Sequence, residues 1–82
     1  MQVTFEFWGA LRRAAGGDER SLVLPAGAAD VGDALAALAA ALPALGDQLD
    51  NTAVALGDRL LLRTEPLEEG MRLALLPPVA GG

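Results

Sequence analysis

Cysteine, histidine, lysine and tyrosine are all missing from this 82-residue sequence, and each absence closes off a class of function. Without Cys there is neither a disulfide framework nor a thiolate metal site, and without His the usual zinc and copper ligand sets are gone as well; no metal-ligating group is expected. The side chains left to act as nucleophile or general base are Ser21, the threonines and scattered carboxylates, with no evident pairing. Acid–base chemistry is therefore expected to come from a partner. Aromatics are scarce, with one Trp and two Phe. The six basic residues are all arginines, spread along the chain, against eleven Asp and Glu, for a net charge of −5. That balance makes nucleic acid and anionic membrane poor partners and a basic protein surface a better one. Met1 to Glu6 alternates polar and apolar residues and carries no basic start followed by an apolar run, so no secretory signal is read there and the expected location is cytoplasmic.

What is present suits one small domain. At this length a single core is expected, with a stability of roughly 4 to 12 kcal/mol. Gln2 to Trp8 alternates, with Val3, Phe5 and Phe7 on one face and Thr4, Glu6 and Trp8 on the other, which predicts a half-buried strand. Gly9 to Ala15 suits a short turn of helix carrying Leu11, ended by Gly16 and Gly17. Ser21 to Leu24 then predicts a second strand, Leu22 and Leu24 facing inward, paired with the first as a hairpin.

Asp30 is placed to cap a helix and Asp33 to sit in its first turn, while Val31, Leu35, Leu38 and Leu42 recur along one face and Pro43 closes it. Ala36, Ala37 and Ala40 fall on the outer side. Gly46 to Thr52 reads as a polar loop. Ala53 to Leu56 and Leu60 to Leu62 flank Gly57, Asp58 and Arg59 as a tight hairpin, and Met71 to Leu76 forms the last strand after a bridge in which Leu67 plugs the core. The order predicts an α+β fold in which a mixed five-stranded sheet carries one main helix on one face.

Strand parity marks the opposite face. With Phe5, Phe7, Leu73 and Leu75 in the core, Trp8, Arg72, Ala74 and Leu76 point to the open face, and Leu60 and Leu62 flank it if Leu61 is core. Trp8, Leu60 and Leu76 are the candidate partner-binding residues, Trp being a frequent interface anchor. The domain, residues 1–76, runs into a tail at 77–82, Pro77, Pro78, Val79, Ala80, Gly81 and Gly82. The prolines stop the strand and hold the tail extended, and the glycines offer a backbone without Cβ to a narrow cleft in another protein. Val79 to Gly82 could carry a terminal carboxylate roughly 13 Å from the last proline. The Gly82 carboxylate is the candidate reacting group, with Pro77 to Gly81 as the segment a partner would grip.

Val3 to Arg12, Glu68 to Leu76 and above all Pro77-Pro78-Val79-Ala80-Gly81-Gly82 resemble the MoaD branch of the MoaD/ThiS sulfur-carrier family, and the likeness spans nearly the whole chain. It departs from many members at Gly57, Leu75, Leu76 and Ala80. The resemblance implies a ubiquitin-like β-grasp and a role as the small subunit of molybdopterin synthase. It implies that a ubiquitin-activating-type (MoeB-like) enzyme uses ATP to adenylate Gly82, and that sulfur then displaces AMP to leave a thiocarboxylate. A MoaE-like large subunit, holding the catalytic side chains, would pass that sulfur to cyclic pyranopterin monophosphate to form molybdopterin. No cofactor is expected on the carrier itself. The alternatives are a sulfur carrier for thiamine or another pathway, a ubiquitin-like modifier that acylates lysines of other proteins, and an interaction module with an inert tail.

Overall fold

A computed structural model of the chain describes residues 1–78. Its strands are β1 (Gln2–Phe7), β2 (Glu19–Val23), β3 (Ala53–Leu56), β4 (Arg59–Leu61) and β5 (Arg72–Leu76). They form one sheet in the order β2-β1-β5-β3-β4, with β1 and β5 parallel at its centre and every other neighbouring pair antiparallel. The helices are α1 (Ala10–Ala15), α2 (Val31–Ala41) and α3 (Gly46–Leu49), the last preceded by a 3-10 turn at Pro43–Leu45. This is the expected α+β arrangement, a mixed five-stranded sheet with one principal helix.

Alternation in β1 places Val3, Phe5 and Phe7 in the core, and the parallel register sets Phe5 opposite Leu73 and Phe7 opposite Leu75. Val54 lies opposite both Leu75 and Leu61, so the same buried row crosses four strands. Over it packs α2 with Val31, Ala34, Leu35 and Leu38 buried. The helix starts where the sequence places it, because Asp30 and Asp33 form a capping box that satisfies orphan N–H groups of the first turn. Leu42 is the C-cap and half-buried, and Pro43 opens the 3-10 turn. Leu67 is buried as expected, and β3 and β4 join through a two-residue turn in which Gly57 takes φ 63.

Several boundaries differ from the sequence reading, β5 among them, which begins at Arg72 with Met71 outside it. Trp8 is outside β1, because the chain turns away at Gly9. β2 begins at Glu19, and Leu24 is buried just beyond its end. β4 spans Arg59–Leu61, so Arg59 is a strand residue facing Leu56. Gly46 to Thr52 is the larger correction: it holds α3 in place of a polar loop. Leu45 and Leu49 are buried, and the Thr52 hydroxyl, also buried, donates to the Gln48 carbonyl at 2.7 Å. Two leucines four residues apart anchor a single helical turn to the core, and tertiary burial outweighs the polar residues between them.

Candidate functional site

The sheet face away from α2 divides into a polar and an apolar half. On the polar half, Thr4 and Ser21 share a hydroxyl hydrogen bond of 2.7 Å across β1 and β2. Beside them Arg72 reaches over from β5, donating through Nε at 3.0 Å and Nη2 at 2.8 Å to Glu6, and through Nη2 at 2.7 Å to Glu19. These bonds, first to Glu6 and then to Glu19, raise the Arg72 pKa further above its already high ordinary value. Two carboxylates on one guanidinium leave this half net negative, in a solvent-exposed setting where such pairs contribute little to folding.

The apolar half is built by register. Leu76 lies opposite Ala53, and Ala55 lies opposite both Ala74 and Leu60. Three alanines on β3 and β5 thus lie side by side, with Leu76 on one side and Leu60 on the other. Leu60 is 68% exposed and Leu62 70%, whereas Leu76 is 37% exposed. Large exposed aliphatic groups around small residues fit an apolar side chain from another protein.

Trp8 is also exposed, at 47%, as parity required. Its neighbours, however, are charged. The Arg12 guanidinium stands over the indole at 5.4 Å from the ring centre, and Arg12 also donates to the Phe7 carbonyl at 3.3 Å and pairs with Asp18 at 3.5 Å. Trp8 lines a small cleft with Glu6, Arg12, Asp18 and Glu19. It therefore belongs to the polar half, while Leu60 and Leu76 belong to the apolar half. The sequence reading grouped all three into one patch; it placed Glu6 on this face with Trp8 but missed Arg12 of α1 and Glu19, which alternation extended through β2 could have signalled.

At the end of β5, Pro77 is half-buried and Pro78 exposed. Both border a cleft of about 280 Å³ with Ala10, Asp47, Gln48 and Asn51. Val79, Ala80, Gly81 and Gly82, the rest of the expected tail and its reacting end, lie outside the described residues. No helix among the described residues is long and apolar enough to cross a membrane.

The comparisons with known proteins agree with this geometry. A search of curated proteins gave no match. Among solved structures, small archaeal modifier protein 1 from Haloferax volcanii is 31% identical, with full coverage of both chains and a TM-score of 0.87. The complex of subunits 1 and 2 of the molybdopterin-converting factor from Helicobacter pylori includes a chain 30% identical, again with full coverage of both, at a TM-score of 0.69. A putative molybdopterin converting factor subunit 1 from Pyrococcus furiosus shares the fold at a TM-score of 0.82 and 23% identity, covering 96% of this chain and 99% of that one. The ThiS family profile matches residues 5–82, and with the ubiquitin-like β-grasp described above, this chain belongs to the ThiS family, the MoaD/ThiS group of sulfur carriers.

Proposed function

We propose that the chain is the sulfur-carrying small subunit of a molybdopterin synthase. The observation that carries the reading is the pairing of an exposed apolar surface, Leu60 and Leu76 around Ala53, Ala55 and Ala74, with a Pro-Pro-rooted Gly-Gly tail that follows Leu76 in sequence. Likeness over its full length to a chain of the two-subunit Helicobacter pylori complex supports a MoaE-like partner.

In this reading the Gly82 carboxylate, a poor electrophile, attacks the α-phosphate of ATP on a MoeB-like adenylating enzyme and expels pyrophosphate. A sulfur nucleophile then adds to the acyl carbon and AMP leaves, giving the thiocarboxylate. On the large subunit that sulfur passes to cyclic pyranopterin monophosphate, and water returns the tail to a carboxylate. The carrier supplies an end group and a docking face, which fits a sequence without His, Cys, Lys or Tyr. It holds no cofactor of its own, and the ATP belongs to the activating enzyme. The work is assigned to the cytoplasm.

A second reading is favoured by the likeness to a small archaeal modifier protein: the activated glycine acylates lysines of other proteins. Mass spectrometry of the protein from its host separates the two. Replacement of one terminal oxygen by sulfur, with molybdopterin formed when that species meets the large subunit and cyclic pyranopterin monophosphate, supports the first. Lysine-linked adducts and no molybdopterin would replace it with the second.

A further inference from the structure

The two central strands run parallel, with Phe7 opposite Leu75, so a straight continuation of β1 would run beside the chain leaving β5. It does not continue. Gly9 takes φ 57 and ψ −135, a conformation open to glycine and strained for any L residue, and turns the chain into α1. The turn is fixed by backbone bonds from Leu11 N–H to the Trp8 carbonyl and from Arg12 N–H to the Gly9 carbonyl, both 3.2 Å. Pro77 occupies the space so vacated. A Cβ on Gly9 would stand 3.2 Å from Pro77 Cγ, tighter than most contacts of such a carbon, so that the ring would have to yield by a few tenths of an ångström. On its other side Pro77, with Pro78, faces Asp47 and Gln48 of α3 and the following Asn51. The root of the tail thus sits in a notch between the β1–α1 turn and α3.

We propose that Gly9 is a positioning residue for the reacting end: by admitting the Pro77 ring against its bare Cα, it sets the direction in which the tail leaves the domain. The inference rests on the carrier reading and adds to it the element that aims the tail. Leverage gives it weight. A four-residue segment spans at most roughly 13 Å at full extension, so at that reach tilting the root by about 15° would move the tip by about 3 Å. Misplacement of a reacting atom by ~1 Å can cost ~100-fold in rate. Pro77 suits the role because its ring fixes φ and it has no N–H to leave unpaired in the notch.

The test is steady-state adenylation by the cognate activating enzyme, comparing the full-length chain with Gly9→Ala, Pro77→Ala and the double variant, each with its thermal midpoint. Misdirection predicts that Gly9→Ala lowers kcat by at least about ten-fold while KM stays within about three-fold, because the docking face is untouched. Pro77→Ala should lower kcat less, and the double variant should be no slower than Gly9→Ala, since the added methyl no longer meets a ring. An unchanged kcat in a folded Gly9→Ala protein, or a defect confined to KM, would overturn the proposal. If Gly9→Ala fails to fold, Pro77→Ala decides: a lowered kcat at unchanged KM and midpoint supports it, and an unchanged kcat overturns it. Failure of the unaltered chain to be adenylated at all strikes instead at the carrier reading, and takes this inference with it.

Discussion

Asp30 and Asp33 cap α2 reciprocally: the Asp33 N–H donates to Asp30 Oδ1 at 2.9 Å, and Asp33 Oδ2 accepts from the Asp30 N–H at 3.3 Å. Asp33 Oδ2 also accepts from the Ala29 N–H at 2.8 Å. The Ala29 bond first, then the Asp30 bond, lower the Asp33 pKa below its ordinary value. A carboxylate whose pKa is depressed by folding adds stability that is complete above its unfolded pKa, about 4, and is lost as pH falls below it through the folded value. Thermal midpoints measured from pH 2 to 6 should therefore show Asp33→Asn losing its disadvantage to the unaltered chain at the acid end. A gap that stays constant with pH would assign the cap to hydrogen bonding without charge. Asp30→Ala should cost about 1 kcal/mol in chemical denaturation.

Arg63 ties the loop after β4 to α3. Its Nη2 donates to the Leu49 and Thr52 carbonyls, 2.8 Å each, at and just beyond the end of α3, where the Leu49 carbonyl also accepts from the Thr52 N–H at 3.2 Å. Arg63→Met should cost about 1 to 3 kcal/mol, read by urea unfolding, by removing the guanidinium from the Thr52 carbonyl and leaving the Leu49 carbonyl only the Thr52 N–H. Arg63→Lys should recover part of this. Equal stability in all three proteins would show that water replaces the guanidinium at no cost.

The two halves of the open face should respond differently to mutation. Leu76→Asp and Leu60→Asp place a charge beside the three alanines of the apolar half and should each weaken binding to the large subunit by more than ~1 kcal/mol in calorimetric titration. Trp8→Ala should show the same loss if the indole is an anchor, and less if its principal partner is Arg12. Phe5→Ala, fully buried, should instead lower the stability of the fold by about 3 to 5 kcal/mol. Binding unchanged in all three surface variants would leave recognition to the tail and the surrounding charges.

Removal of Gly81 and Gly82 should leave the thermal midpoint nearly unchanged and abolish adenylation, since neither residue has a side chain to bury. Gly82→Ala is the finer probe. One methyl beside the reacting carbon should slow adenylation and sulfur transfer by up to ~100-fold in a cleft shaped for glycine. A large fall in midpoint on truncation would show the tail to be part of the fold.

Much of this protein is determined locally and can be read along the chain. Alternation in β1 and β5 settles which side chains enter the core, because side chains on a strand point to opposite faces in turn. Asp30, Asp33 and the leucine spacing settle α2, because caps and helical faces depend on residues three and four apart. The missing Cys, His and Lys bound the chemistry from composition alone. The tertiary structure decided what depends on partners far apart in sequence. Gly46–Leu49 became helical through burial of Leu45 and Leu49, which no nearby residue announces. Trp8 was placed beside Arg12, apart from Leu60 and Leu76, and Arg72 on β5 was brought within reach of Glu6 on β1 and Glu19 on β2 by strand order, across separations of 66 and 53 residues. The Gly9–Pro77 contact is of the same kind. A glycine after a strand and a proline after another are ordinary punctuation until parallel pairing of β1 with β5 brings them together, because register is fixed by the whole sheet and not by either segment.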